Sequence, residues 1–413
     1  MKKMLKTAAI WAVITSMVVT GAAESVYLSG YARNYTGMLL RDKNEFSILQ
    51  NTFNLKFEHS RNQVAFNANL YVYQYPGAVL EIGLRELYLD LLFDKMDIRM
   101  GQQQIIWGKA DGMFITDIVS PKNLSEFLLP DFNEIRISVT ALKADYYIGN
   151  LSFEAVWIPA FSPTIIPDEN SLWFSMPTFP VQPTFDYSQK VIESNLKNSE
   201  LFTKFAAITS FVDFEIMAGY AWDDDPTLHI QKTINPETMQ LSSITVIPRH
   251  HRLTIGGGSF STTLGPFVVR GESAYYAGKY FQTTAPGATY GVTDKDYLHY
   301  LLGLDFTIGE IRISSQFVQQ VIADYDEHLV NSEFENTATL LLSRTFFRET
   351  LKLELFSYIG LDNKDALIRP KISYDLTDGF QVQAGANLFT GSDGRFGQYD
   401  DNDMLYFKIK YSF

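Results

Sequence analysis

The feature that most narrows the fold of this chain is a period of two. In the last strand-like segment Leu405, Phe407, Ile409, Tyr411 and Phe413 alternate with Tyr406, Lys408, Lys410 and Ser412. Phe53, Leu55 and Phe57 alternate with Asn54, Lys56 and Glu58, and Leu351, Leu353 and Leu355 with Lys352 and Glu354. Successive side chains of a strand point to opposite faces, so this pattern describes a sheet with one apolar face and one polar face. Segments of about ten residues, joined alternately by tight turns and longer loops, are the pattern of a transmembrane β-barrel.

Counting such segments predicts strands at 26–38, 46–59, 62–75, 84–93, 96–107, 136–147, 150–158, 200–211 and 213–223. Nine more follow at 249–260, 265–279, 297–308, 311–324, 334–346, 350–361, 366–376, 379–390 and 403–413. The fold class is therefore all-β, an antiparallel barrel of about 18 strands, with 16 allowed if boundaries shift. Turns such as His59 to Asn62, Gly149-Asn150, Gly309-Glu310 and Thr377-Asp378-Gly379 all fall on one side, which is periplasmic if both termini are. Trp107, Trp157 and Trp222 fall at the ends of outward-running strands, where an aromatic girdle belongs.

Met1 to Lys6 carries three lysines, Ala8 to Val19 is apolar, and Gly21 and Ala23 suit cleavage before Glu24. This predicts a signal peptide over 1–23 and one barrel domain over 24–413, in the outer membrane of a Gram-negative bacterium. The apolar run is too short to span a bilayer, which takes about twenty residues. Loss of Lys2, Lys3 and Lys6 takes the formal charge from -13 to -16, which argues against nucleic acid as a partner. The chain has no cysteine, which excludes disulfides and lipid attachment through a thiol.

Gly101 to Arg136 breaks the strand rhythm. Trp107-Gly108 ends a strand, Ala110-Asp111-Gly112 is a turn signal, and Ser120-Pro121 predicts a short helix over about 121–129, stopped by Pro130. A lumen of 16 to 18 strands needs narrowing if passage is to be selective. The 107–135 loop, the third on its side, is the candidate, folded inward; the alternative is an external cap with its own small core. Lys109, Asp111, Asp117, Asp131, Glu134 and Arg136, with Arg99 on the facing wall, are the candidate pore-constriction residues. They alternate with Met113, Phe114, Ile115, Leu124, Phe127, Leu128, Leu129 and Phe132, too apolar for a solvated loop.

The next loop, 159–199, carries six prolines among aromatics and reads as ordered but irregular. Trp173, Phe174 and Phe179 either capture hydrophobic compounds or pack on the third loop as a lid.

Alternation places Lys56, Arg99, Arg252, Arg270, Arg312, Lys352, Arg369, Lys371, Lys408 and Lys410 in the lumen. Facing them are Glu58, Glu86, Asp90, Asp97, Glu272, Asp305, Glu335, Glu354 and Asp375. Such groups are expected to brace the wall as cross-strand pairs, leaving the excess negative charge in outer loops such as Asp223 to Asp225. No G-x-S-x-G elbow and no H-E-x-x-H motif occurs, and His250 and His251 would point to opposite faces of a regular strand. No enzyme activity, cofactor or metal site is expected.

The stretch Gly101, Gln103, Trp107, Gly108, Ala110, Asp111 and Gly112 fits G-x-Q-x-x-x-W-G-x-A-D-G. It continues through Asp117, Pro121, Glu126, Phe127, Leu129, Pro130, Asp131 and Arg136. This resembles a family of Gram-negative outer-membrane β-barrel proteins of poorly defined function. The resemblance implies barrel and location rather than substrate.

The expected function is a porin-like channel for passive passage of small solutes through the outer-membrane lipid, monomeric or a homo-oligomer such as a trimer. The alternatives are a plugged barrel carrying hydrophobic or aromatic compounds, and a surface-binding or adhesion protein. Phe413, ending an alternating aromatic strand, is the expected signal for the barrel-assembly machinery.

Overall fold

A computed structural model describes residues 26–413, except 42–44, 78 and 177–178. The proposed signal peptide lies outside the described residues. Eighteen strands form one sheet that closes on itself. The wall opens with β1 (Val26–Leu39), β2 (Phe46–Arg61), β3 (Val64–Tyr75), β4 (Val79–Leu92), β5 (Met96–Gln103), β6 (Val139–Ile148) and β7 (Leu151–Ile158). After a two-residue strand β8 (Thr184–Phe185) outside the wall, β9 (Glu200–Ile208) and β10 (Asp213–Trp222) continue it. A hairpin of β11 (Thr227–Ile234) and β12 (Leu241–Arg249) pairs with β8 as a separate small sheet. The wall resumes with β13 (Arg252–Leu264), β14 (Phe267–Gln282), β15 (Val292–Ile308), β16 (Ile311–Ile322) and β17 (Phe334–Phe346). It ends with β18 (Leu351–Gly360), β19 (Asp365–Thr377), β20 (Phe380–Thr390) and β21 (Met404–Ser412). Each wall strand pairs antiparallel with the next, and β1 pairs with β21 from Tyr31↔Ser412 to Leu39↔Met404, so no edge is left open.

All eighteen segments read from the alternation are wall strands. Closure explains why the alternation is so regular, since one face of every strand must be apolar and the other lines the lumen. In β21 Phe407 is 43% exposed and Tyr411 51%, whereas the intervening Lys408 is 8% exposed. The tight turns lie at the end of the barrel where β1 begins and β21 ends, and the long connections over 104–138, 159–199 and 223–251 at the other.

Four expectations are corrected. The hairpin β11–β12 was not anticipated, because its short β-branched runs lie between two wall segments and carry no lumen-facing alternation. Trp107 is 2% exposed and does not sit in a girdle, because β5 ends at Gln103 and the chain has already turned inward. Arg252 faces outward, its guanidinium 4.3 Å from the Trp222 ring and 4.9 Å from that of Tyr220. Leu253 and Ile255 point inward instead, because here the inner face of the wall packs against Ile105, Trp107, Ile118 and Val119 of the segment that fills the lumen. Asp223 is buried and holds Lys279 at 2.6 Å instead of lying in solvent.

The expected helix over 121–129 is replaced by turns, and a single helical turn, α1 (Phe132–Ile135), follows it. Asn123 takes the Ser125 N–H and hydroxyl on its side chain, and Phe127 has φ 54°, which ends any helix there. The backbone around Lys122 and Asn123 is instead used in bridges to Arg136 and Ile165.

Some of the lumen charges form the expected cross-strand pairs, among them Arg270 with Asp305 and Lys371 with Glu354. Arg99 clasps Asp90 on the neighbouring strand through Nε at 2.7 Å and Nη2 at 3.0 Å. Lys56 with Glu58 and Lys352 with Glu354 are instead two residues apart on one strand, each pair at 2.8 Å.

Candidate functional site

The site is the segment 104–138, which leaves the wall between β5 and β6 and crosses the lumen. Its two arms are joined by one carboxylate. Asp117 Oδ1 accepts the N–H groups of Trp107 and Gly108, both at 2.8 Å, and Oδ2 accepts Arg136 Nη2 at 2.6 Å. Gly108 is required here, because a Cβ would lie 2.9 Å from the Asp117 carboxylate. Ser120 Oγ accepts Ile105 N–H at 2.9 Å, and Gln104 Nε2 donates to the carbonyls of Asn133 and Arg136. The incoming and outgoing arms thereby form one folded unit.

The unit is tied to opposite sides of the wall. On the β14–β16 side Arg270 holds Asp111, whose Oδ2 also accepts Ser314 Oγ at 3.0 Å. Gln316 clamps the Asp111 backbone, accepting its N–H at 3.0 Å and donating to its carbonyl at 2.6 Å. Glu272 accepts the Lys109 N–H and the Thr116 hydroxyl. Tyr358 on β18 donates to the Gly112 carbonyl at 2.8 Å, and Arg369 on β19 donates to those of Leu128 and Leu129 at 2.8 and 2.7 Å. Gly112 has φ +80°, and a Cβ there would meet the Phe356 ring at 2.3 Å. On the opposite side Glu134 is held by Arg33 of β1 at 3.0 Å and Arg85 of β4 at 3.7 Å, with the Tyr31 hydroxyl at 3.2 Å.

Apolar packing follows the same division. Ile105, Trp107, Ile118 and Val119 pack against Val156, Ile158, Phe202, Met217, Leu253 and Ile255 of the wall. Met113, Ile115, Leu128 and Leu129 pack against Leu301, Val318, Tyr358 and Leu367, beneath Trp173, Phe396 and Tyr399 from two outer loops. The stretch with the G-x-Q-x-x-x-W-G-x-A-D-G spacing is thus where the chain leaves the wall, turns and reattaches across the lumen.

Of the residues singled out from sequence, Asp117 and Arg136 are buried in their mutual pair. Asp111 and Glu134 face opposite walls, and Lys109 Nζ reaches Glu215 of β10 at 3.0 Å. Burial alone would raise Asp131, but Lys408, Arg33, Lys371 and Arg369 together hold its carboxyl below the ordinary aspartate range. Arg99 is in the wall with Asp90, away from these ties. Trp173 is 5% exposed and sits among Phe127, Phe389 and Tyr399, with Tyr399 Oη donating to its carbonyl at 2.9 Å. Phe174 and Phe179 are half-buried outside that cluster.

Arg33, Arg85, Gln316 and Tyr358 were not singled out. Alternation in β1 does place Arg33 inward between Tyr31 and Tyr35. Arg85 is hidden from such reasoning, because the register shift opposite Asn69 and Leu70 breaks the alternation of β4 at that point.

Two cavities flank the segment at the loop end. One of about 700 Å³ is lined by Phe114, Asp225, Tyr276, His299, Glu335 and Arg395 among others. The second, of about 430 Å³, lies between β1, β2, the inserted segment and the 159–199 loop. Among the described residues no group of three or more His, Cys, Asp or Glu side chains could hold a metal ion.

Solved structures share this architecture. OccK8 (OprE) of Pseudomonas aeruginosa aligns over 95% of this chain and 99% of its own at 10% identity, with a TM-score of 0.57. OccK5 (OpdH) of the same organism aligns over 95% and 99% at 12% identity and 0.55. OccK2 (OpdF), solved in complex with glucuronate, aligns over 95% and 99% at 13% identity and 0.53. At such identities the likeness establishes the fold, that of outer-membrane porins. No curated protein matches the chain. The family model described as protein of unknown function (DUF1302) matches residues 58–413, so the chain, with its closed 18-stranded porin-type barrel, belongs to that family.

Proposed function

We propose that the protein is an outer-membrane channel for passive passage of small solutes, with residues 107–135 as its constriction, exported by a signal peptide over residues 1–23. The observation that carries this reading is that the inserted segment is fixed to both sides of the lumen, through Arg33 and Arg85 on one and Arg270 and Gln316 on the other, with Arg369 tying it to the wall between them. A constriction anchored this way has a fixed shape, and charges held in a narrow lumen select solutes by size and field without an energy source. In this reading Lys109, Asp111, Asp131 and Glu134 set the field, while Asp117 and Arg136 hold the frame that carries them and Arg99 stays paired with Asp90 in the wall.

Single-channel conductance in planar bilayers tests it, comparing the wild type with a variant lacking Ala110 to Glu126. Discrete wild-type openings that enlarge on deletion are expected. A wild type that is silent while the deletion variant conducts would replace this reading with that of a plugged barrel for hydrophobic or aromatic compounds. That second reading is favoured by one observation, the continuous apolar filling formed by Phe127, Trp173, Phe389, Phe396 and Tyr399.

A further inference from the structure

The smaller cavity beside the constriction has a one-sided chemistry. Its walls include Tyr35, Leu39, Phe46, Tyr75, Leu172 and Trp173, and its ionisable carboxylates are Glu126 and Glu45. Among the described lining residues there is no lysine, arginine or histidine. The two cations with the greatest influence on Glu126 are committed elsewhere. Arg33 is held by Glu134 and also donates to Gln50 and Thr52, and Lys408 lies 4.4 Å from the Tyr35 ring centre. Within the described residues the Glu126 carboxylate has no hydrogen bond or ion pair, and it is half-buried in a cavity whose walls combine aromatic and aliphatic side chains with Ser47, Ser125, Asn170 and Ser171.

A half-buried carboxylate with no partner of its own gains from a cation that joins it, and aromatic faces favour cations further. We propose that this cavity is a binding site for small organic cations with an apolar body, aliphatic or aromatic amines and quaternary ammonium compounds, whose charge is met by Glu126 and whose body lies against Tyr35, Leu172 and Trp173. The volume, about 430 Å³, lies in the range of small-molecule sites. The ligand's status as a transported solute rests on the channel reading; the binding site itself does not.

The test uses the full mature protein in nanodiscs of zwitterionic lipid, with empty nanodiscs as reference. Trimethyl(2-phenylethyl)ammonium, 3-phenylpropionate and 3-phenyl-1-propanol are compared by calorimetry and saturation-transfer NMR. The cation is expected to bind at least about ten-fold more tightly than the other two, and Glu126→Gln to remove about ten-fold or more of its affinity. Leu172→Lys, at an exposed loop position, places a fixed cation at the cavity and is expected to do the same. It decides the matter if Glu126→Gln does not insert into the bilayer. Equal affinity for the three probes, or cation affinity unchanged in the folded variants, overturns the proposal. Cation binding by a protein that is silent in planar bilayers retains the site and removes the channel; conductance without selective binding does the reverse.

Discussion

Arg136 donates to one oxygen of Asp117 through both Nε and Nη2, at 3.0 and 2.6 Å, while the other oxygen receives two backbone N–H groups from the opposite arm of the same segment. Removing one member leaves the other as an uncompensated buried charge, at a cost of about 3–5 kcal/mol. Asp117→Ala is therefore expected to loosen the inserted segment without opening the barrel. Protease cleavage within 104–138 should rise while heat-modifiable migration on gels persists. An unchanged cleavage pattern would show that the wall ties alone hold the segment.

Gly112 provides a second handle on the same segment. Its positive φ and its contact with the Phe356 ring leave no room for a side chain. Gly112→Ala combines strain of about 1–3 kcal/mol with displacement of the Tyr358 hydrogen bond. Conductance of this variant should become noisier or larger, whereas Tyr358→Phe, which loses only the hydroxyl, should change it less. The reverse order would place the constriction away from Gly112.

Glu126 gives a pH dependence. Burial pushes its carboxyl up to about 7, Glu134 adds to the rise, and Arg33 and Lys408 oppose it. With the folded value above the ordinary 4.5, the folded segment binds more protons than the unfolded one between pH 4.5 and about 7. Stability of the packed segment accordingly falls across that window and stays low above it. Glu126→Gln should remove the fall, so that wild type and variant resist protease equally at pH 4 while the variant resists better at pH 8. Parallel profiles at both pH values would refute the assignment.

Phe413 closes the barrel next to Gly30, with backbone hydrogen bonds of 3.0 Å in both directions and its ring stacked on Phe53. Deleting it removes an outward-facing aromatic that is 47% exposed and ends the last strand. If it is read by the assembly machinery, the folded protein recovered from outer membranes should fall several-fold while refolding in detergent is little affected. Equal losses in both assays would assign Phe413 to barrel closure alone.

The sequence by itself determined the strands and their parity. Each strand is a local pattern of about ten residues, and a two-faced wall between lipid and water forces that pattern on every one of them. The same logic failed at the bulge beside Arg85, where parity was broken locally, and at Arg252, where the inner face is apolar because the inserted segment packs on Leu253 and Ile255. It also located the segment that leaves the wall, through Trp107, Gly108, Gly112 and Pro121, because turn and close-approach residues carry local constraints. What only the tertiary structure decided was the use of the charges in that segment. Glu134 meets Arg33, Asp111 meets Arg270, and the Leu128 carbonyl meets Arg369, over separations of 101, 159 and 241 residues. Such partners are set by how the barrel closes around the segment. Closure is a property of the whole sheet, and no window of the chain records it.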